Sequence, residues 1–298
     1  MRWSVFTAST PDWTPEEAVG QLAAQGWDGV EWRVTDQEPA RPPGFWAGNR
    51  ATIPLTGLEG ELTRIAAITR EAGLALSGLG AYVPAADHGN VERVLAAAAA
   101  LGAERVRVTM PQLGSGDYRE LMAGARRDLA WIAGRAAEHG VTALVELHHG
   151  TIVASASAAM RLLDGLPPEH AGVIHDIGNL TIEGFEDPLA GFQMLGPYLA
   201  HVHVKNVAWR VSGTRDDGGP RWSAEWAPLW EGQADLAAYL GALRRVGYDG
   251  WVTVEDFSTA VPLAQRTRDN LAYLRELDLS VRADKCEPLT AARTSRTE

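Results

Sequence analysis

The sequence predicts an α/β protein whose single domain is a (β/α)8 TIM barrel. Short apolar runs typical of strands alternate eight times with longer stretches that have helical periodicity. Glycine directly follows several of the helical stretches, as expected where a helix ends in the left-handed conformation. Eight such units in about 280 residues favour a closed barrel over the alternative, an open doubly wound sheet.

The first four strand–helix units occupy residues 3–139. Their opening helix has a clear start, because Thr14 is a good cap, Pro15 suits the first turn and Glu17 completes a capping box. The predicted strands cover residues 3–7, 29–33, 74–79 and 105–108. The helices that follow them cover residues 15–25, 58–72, 90–101 and 118–139.

The remaining four units occupy residues 142–277. Their strands are predicted at residues 142–147, 171–175, 200–204 and 250–255, and their helices at 155–163, 188–195, 236–246 and 263–277. Since no interior linker separates these units, the barrel domain is predicted to span residues 1–283. The polar segment 284–298 lacks periodicity and is predicted to be a disordered C-terminal tail.

Composition excludes several classes of function. The chain has 27 Lys and Arg against 38 Asp and Glu, a net charge of −11, and such a surface repels nucleic-acid backbones and anionic lipid. No stretch approaches the ~18 uninterrupted apolar residues of a membrane span. The single Cys286 and a start without a signal-peptide core predict a reducing, cytoplasmic location.

The ends of the last four predicted strands carry acids and histidines. In a barrel of this kind, catalytic groups lie where strands end and loops begin. Six of the eight histidines fall between His148 and His203, which scattered surface positions would rarely produce. The strand-end candidates are Glu146, Asp176, the pair His201 and His203, and Glu255.

This set predicts a metal site. Three carboxylates and one imidazole that meet at the barrel mouth would repel one another without a cation, and the set suits Mn²⁺, Mg²⁺, Co²⁺ or Zn²⁺. With no thiolate available, a finger-like structural zinc site is excluded. Because side chains alternate along a strand, His201 and His203 point the same way. We favour His203 as the ligand, with His201 as a core or supporting residue.

Residues next to these strand ends are candidates for substrate contact. His148, His149 and His175 each have three interpretations, namely substrate contact, support of a ligand or structural packing. Lys205 is either catalytic or the partner of one of the acids. Four tryptophans and three arginines crowd residues 209–230, a segment that forms either an aromatic pocket wall or a lid or subunit interface. The predicted substrate contacts are Asn179, His149, Arg210, Trp32 and Trp209.

At these positions the sequence resembles the xylose isomerase-like barrel superfamily of sugar epimerases and isomerases, inosose dehydratases and C-glycoside deglycosidase-like proteins. The resemblance covers residues 2–277. Its most specific part is His201-Val202-His203-Val204-Lys205-Asn206, similar to the family's His-x-His-x-Lys-Asp run. The resemblance implies one divalent metal ion, Mn²⁺ before Mg²⁺, Co²⁺ or Zn²⁺. It also implies that the ligands are Glu146, Asp176, His203 and Glu255.

Two positions depart from the ketose 3-epimerases of this superfamily. Ile152 stands where those enzymes place a further Glu, and Asn179 stands where they place a His. A plain free-ketose epimerase is therefore less expected than the superfamily as a whole implies.

The function we expect is a divalent-metal-dependent epimerase or isomerase acting on a keto-sugar or cyclitol. Removal of a proton next to the carbonyl would give an enediolate, which a Lewis-acidic metal stabilises. Glu146 and Glu255 come from different strands and are the predicted base and acid, with His148 and Lys205 in reserve.

Three alternatives remain open from the sequence. Loss of a β-substituent from the same intermediate would make the protein a dehydratase or a keto-glycoside lyase. A DNA-repair endonuclease of the same superfamily is disfavoured by the acidic charge, and a non-catalytic barrel subunit by the intact ligand set. The expected partners are a sugar, cyclitol or glycoside substrate, together with a second copy of the chain or a small partner subunit.

Overall fold

The computed structural model describes residues 1–184 and 186–284 of the 298-residue chain. Eight parallel strands form its centre: β1 Arg2–Phe6, β2 Gly29–Val34, β3 Ala75–Pro84, β4 Arg105–Thr109, β5 Thr142–Glu146, β6 Ala171–Asp176, β7 Leu199–Val204 and β10 Trp251–Val254. They close into a barrel, because β10 pairs with both β1 and β7. This confirms the predicted (β/α)8 architecture.

Helices pack around the outside of the barrel. Within the described residues they are α1 Pro15–Gln25, α2 Leu58–Glu71, α3 His88–Leu101, α4 Tyr118–His139, α5 Ala156–Leu163, α6 Ile177–Glu183, α7 Pro188–Leu195, α8 Leu236–Arg245 and α9 Leu263–Asp284. The capping box that Thr14 and Glu17 predict is formed at the start of α1. Among the described residues, no helix combines the length and apolar character needed to cross a bilayer.

The C-terminal helix is longer than the sequence predicts. The sequence predicts its end at residue 277, whereas α9 continues to Asp284. Four of the seven residues from 278 to 284 are polar, so this segment lacks the apolar periodicity from which a helix is predicted. Residues 285–298 of the predicted tail, with Cys286, lie outside the described residues.

Two elements near the barrel mouth were missed. The tryptophan-rich segment after β7 is an antiparallel hairpin of β8 Asn206–Thr214 and β9 Pro220–Ala227. Helix α6 begins directly after β6, and the Asp176 side chain accepts a hydrogen bond from the Asn179 backbone N–H at its first turn. A seven-residue helix gives too few turns for a periodic pattern to show in the sequence.

The outer face of β2 carries Trp32, for which the sequence predicted a substrate contact. The ring is fully buried, and its Nε1 donates a hydrogen bond to Thr69 Oγ1 of α2. Since alternate strand residues face opposite sides, Trp32 lies between barrel and helix while Glu31 and Arg33 face the interior. The prediction of a substrate contact is therefore wrong for Trp32.

Small residues on β3 make room for the interior side chains. A Cβ added at Gly80 would lie 2.2 Å from Phe6 Cε2 and 3.0 Å from Glu31 Oε1. The absence of a side chain at Gly80 is thus what allows the Phe6 ring and the Glu31 carboxylate to occupy the barrel interior.

We expect Gly80→Ala to destabilise the protein by about 1–3 kcal/mol, because the added methyl group overpacks a closed barrel. Gly134→Ala is the matched control: Gly134 is exposed within α4, nothing lies within 4 Å of its added Cβ, and alanine favours a helix by roughly 0.5–1 kcal/mol. Urea unfolding of both variants measures these effects. Equal stability of the two variants would contradict the packing argument.

Candidate metal centre and active site

Four buried side chains meet at the C-terminal ends of neighbouring strands. Glu146 is the last residue of β5, Asp176 the last of β6, His203 lies in β7, and Glu255 follows β10. One ligand atom from each of the four lies within 4.8 Å of the others. The barrel thus brings together the residues that the sequence predicts as a metal site.

The imidazole of His203 has one nitrogen directed into this cluster. Its Nδ1 lies 3.4 Å from Glu255 Oε1, 3.6 Å from Glu146 Oε1 and 3.9 Å from Asp176 Oδ2. This buried atom has no hydrogen-bond partner among the described residues. Three carboxylates and one such nitrogen are the donor set that a hard or borderline divalent cation takes, so the residues fit the implied metal.

The other nitrogen of the His203 ring is held by Glu31, which we did not predict as a site residue. Glu31 Oε2 lies 3.0 Å from Nε2 of His203 and 3.0 Å from Nε2 of His201. Since a carboxylate accepts hydrogen bonds, the proton of a neutral His203 belongs on Nε2, and Nδ1 keeps its lone pair. His201 also contacts Thr253 Oγ1, which places it behind the cluster.

These contacts shift the pKa values of the imidazole and the acid. Burial alone would lower the pKa of His203, but the carboxylates of Glu31 and Glu255 raise it well above its usual value. Burial would likewise raise the pKa of Glu31, yet the two histidines hold it low. A cation at Nδ1 would take the place of a proton there, so metal binding releases protons.

Lys205 provides a second positive group inside the cluster. Its Nζ lies 2.5 Å from Glu255 Oε2, 2.7 Å from Asp176 Oδ2 and 3.7 Å from Glu146 Oε1. Burial would lower the pKa of Lys205, but Asp176 and Glu255 outweigh that effect and raise it. The Lys205 ammonium group therefore stays charged. Burial raises the pKa of the neighbouring Asp176 to about 7, although Lys205 opposes that shift.

Arg107 is a further site residue that the sequence analysis missed. Its Nη1 lies 2.6 Å from Glu146 Oε2, and the Asn179 amide donates to Glu146 Oε1 over 3.0 Å. Burial would raise the pKa of Glu146, but Arg107 and Lys205 hold it well below its usual value. The sequence did contain a signal for both residues. Arg107 in β4 and Glu31 in β2 are charged residues flanked by apolar strand residues, which indicates a charged side chain directed into the barrel.

A cavity of about 250 Å³ opens beside the cluster. Its wall is partly charged or polar and partly aromatic, and consists of Trp46, Tyr82, Arg107, Glu146, His148, His149, Lys205, Trp226, Glu255 and Phe257. A second cavity of about 110 Å³ shares Tyr82, Arg107, Glu146 and His148 with the first. The site therefore has room for a small ligand next to the predicted metal ligands.

Of the other residues predicted to contact substrate, some lie at the cavities and some lie away from them. His149 lines the larger cavity, and its Nδ1 lies 2.9 Å from the Asn179 Oδ1, so Asn179 connects His149 to Glu146. Trp209 donates to the backbone oxygen of Thr181 on α6, and Arg210 is exposed on the hairpin. Neither of those two side chains is among the residues that line the two cavities.

His175 has a structural position. Its Nδ1 lies 2.8 Å from the Tyr239 hydroxyl, and its ring packs against Phe192 behind β6. Burial lowers the pKa of His175 to about 3, so the ring is neutral. Of its three interpretations, the packing role describes this environment.

We expect Glu31→Gln to weaken Mn²⁺ binding by about 10- to 100-fold, because an amide is a poorer acceptor and no longer fixes the proton on His203 Nε2. Glu104→Gln removes the same charge from an exposed residue and serves as the matched control. Calorimetric titration of metal-stripped protein with Mn²⁺ gives the affinities. Unchanged affinity in Glu31→Gln, with unchanged unfolding, would show that Glu31 does not orient the imidazole.

Several known proteins are similar to this chain. An inosose dehydratase of Lacticaseibacillus casei is 26% identical over 150 residues, which are 49% of this chain and 49% of that protein. The chain thus spans about half the length of the curated relatives it matches.

Two solved structures share the fold over nearly their whole length. A 3-keto-D-glucoside 4-epimerase from E. coli is 18% identical with a TM-score of 0.68, covering 93% of this chain and 99% of that one. A probable 3-DHS dehydratase from Bacillus anthracis is 19% identical with a TM-score of 0.67, covering 92% and 99%. The xylose isomerase-like TIM barrel family matches residues 19–277. With that match over most of its length, the chain belongs to the xylose isomerase-like TIM barrel family.

Proposed function

We propose that this chain is a divalent-metal-dependent enzyme that removes a proton next to the carbonyl of a keto-sugar or cyclitol and eliminates a β-hydroxyl group. One observation carries the proposal: the unpartnered Nδ1 of His203 faces three carboxylate oxygens beside a cavity that a histidine and a buried ammonium line. Glu146, Asp176, His203 and Glu255 would hold the metal, with Mn²⁺ the first candidate. When bound, the ion supplies a Lewis acid for negative charge on substrate oxygens.

His148 is the base in this proposal. Its Nδ1 lies 2.7 Å from the backbone oxygen of His149. A carbonyl oxygen only accepts hydrogen bonds, so the ring proton is on Nδ1 and the lone pair is on Nε2. Because His148 lines both cavities, that lone pair is available to a ligand in the site.

Lys205 is the acid. Its ammonium group lines the larger cavity and lies 5.7 and 5.8 Å from the ring centroids of Trp226 and Phe257. In the elimination, the carbon-bound proton passes to His148 Nε2, and the C–H electron pair forms the new carbon–carbon double bond as the C–O bond to the β-hydroxyl group breaks. The C–O electron pair leaves with the hydroxyl group, which takes a proton from Lys205 Nζ and departs as water.

Glu146 and Glu255, which the sequence predicts as base and acid, are better suited to holding the metal. Arg107 and Asn179 contact the two oxygens of Glu146. Lys205 contacts Oε2 of Glu255, and Oε1 faces His203 Nδ1 across 3.4 Å inside the cluster. The oxygens of both acids are therefore directed at groups of the predicted metal site, which leaves proton transfer with the substrate to His148 and Lys205.

Elimination is favoured over epimerisation by Ile152. This side chain is buried in the core, so no polar group stands where ketose 3-epimerases have their further Glu. The curated relative named an inosose dehydratase supports the same outcome. Epimerisation or isomerisation is the second candidate, supported by the likeness to the 3-keto-D-glucoside 4-epimerase fold. A keto-glycoside substrate, self-assembly or a small partner subunit, and a cytoplasmic location remain predictions.

Deuterium exchange tests the proposal directly. The Mn²⁺-loaded protein is incubated in ²H₂O with ketoses, inososes and 3-keto-glycosides, and mass spectrometry follows exchange next to the carbonyl and loss of water. We expect His148→Asn to lower exchange by about 10²- to 10⁴-fold. In Lys205→Met we expect exchange to persist while dehydration is lost, provided that metal content is unchanged.

His170→Asn is the matched control for the base. His170 is also half-buried, and its Nδ1 likewise lies near a backbone oxygen, that of Val141, but it precedes β6 at the opposite end of the barrel. We expect its activity to equal that of the unmodified protein. Exchange in His148→Asn as fast as in His170→Asn would refute the assignment of the base.

A further inference from the structure

The terminal Nη2 amino group of the buried Arg107 side chain has no hydrogen-bond partner within the part of the chain that the structure describes. The residue is only 4% exposed, its Nη1 bonds Glu146, and its Nε donates to the Ala81 backbone oxygen over 3.4 Å. Its Nη2 has no hydrogen-bond acceptor among the described residues. Since leaving a buried charged donor unsatisfied is costly, this position calls for an acceptor from a ligand.

The surroundings of Arg107 belong to the substrate cavities. The guanidinium carbon lies 4.3 Å from the Tyr82 ring centroid and 5.3 Å from that of Phe6, and Arg107 lines both cavities. Arg33 lies 4.9 Å from the same Tyr82 ring. Besides Arg107, the smaller cavity is lined by the polar residues Thr109, Gln112 and Thr151, by His148, and by Glu146, whose carboxylate is already paired with Arg107. An anion here would meet an arginine fork in a nearly dry environment, where charge-assisted hydrogen bonds are strong.

The balance of charged side chains at the barrel mouth also favours an anionic ligand. Four buried carboxylates, those of Glu31, Glu146, Asp176 and Glu255, face three buried cationic side chains, Arg33, Arg107 and Lys205. With His203 neutral, as a cation at its Nδ1 requires, a bound divalent ion turns this single negative excess into a single positive one. With the proposed metal in place, the site therefore has one positive charge that its own acids do not neutralise.

We propose that the Arg107 guanidinium forms an anion subsite and binds a carboxylate group carried by the substrate. The inference rests on the proposed function, because it deepens the identity of the substrate for that same site. The substrate class is then an acidic keto-sugar or cyclitol, whose carboxylate lies in the smaller cavity while its carbonyl faces the metal ligands in the larger one.

Two ligands that cannot react test the subsite on the Mn²⁺-loaded protein. Calorimetry compares methyl β-D-glucopyranoside with the corresponding uronate, which differs only by its carboxylate. We expect the uronate to bind about ten- to hundredfold more tightly. Arg107→Met should abolish this preference, and Arg107→Lys should reduce it about tenfold, because lysine keeps the charge toward Glu146 but lacks the fork.

Arg105→Lys is the matched control, since Arg105 lies on the same strand and face but at the other end of β4, where its Nε donates to the Ala200 backbone oxygen. It should keep the full preference. Equal binding of the two ligands, or a preference that survives in both Arg107 variants with metal content unchanged, overturns the subsite. If the unmodified protein shows no deuterium exchange but still prefers the uronate in a way that depends on Arg107, the proposed elimination is overturned and the anion subsite is not.

Discussion

The burial of four carboxylates at one end of the barrel is the constraint on which the rest of the site depends. Taking an ion out of water costs several kcal/mol even after relaxation, and like charges in close contact add to that cost. Here Arg107 and Lys205 offset part of the charge, the two strand-seven histidines contact the Glu31 carboxylate, and a divalent cation would offset more of it. The arrangement is stable only because every acid has a positive or polar neighbour at hydrogen-bond distance.

The barrel supplies that arrangement through strand alternation and register. β7 and the residue that follows it place His201, His203 and Lys205 on the same side at three successive depths. One segment thus provides a supporting imidazole, a predicted ligand and an ammonium group. Glu31 contacts the first two of these from the opposite wall. The fold thus orients the predicted ligand from behind while leaving its free nitrogen at the mouth, which is the usual way in which a metal-binding histidine is fixed.

Neighbouring groups of the same chemical type take different roles because their surroundings differ. His148 has its Nδ1 engaged by a backbone carbonyl and faces the cavity, whereas His175, one strand further on, packs behind the barrel against Tyr239. Trp226 lines the cavity, but Trp32 supports α2 and Trp209 packs on α6. Residue type alone does not separate such cases, since an indole serves equally well in a pocket wall and in a core.

The sequence by itself determined the barrel and the four acid and imidazole positions. Both depend on local patterns: the alternation of apolar strand runs with helical stretches indicates the barrel, and acids and histidines at strand ends indicate the site. The sequence did not predict helix α6 or the hairpin after β7, because short or solvent-exposed elements show only a weak periodicity of apolar residues. Only the tertiary structure decided that Glu31 and Arg107 belong to the site and that Trp32 does not. Those residues come from strands β2 and β4, and their contacts with β5 and β7 form only when the barrel closes.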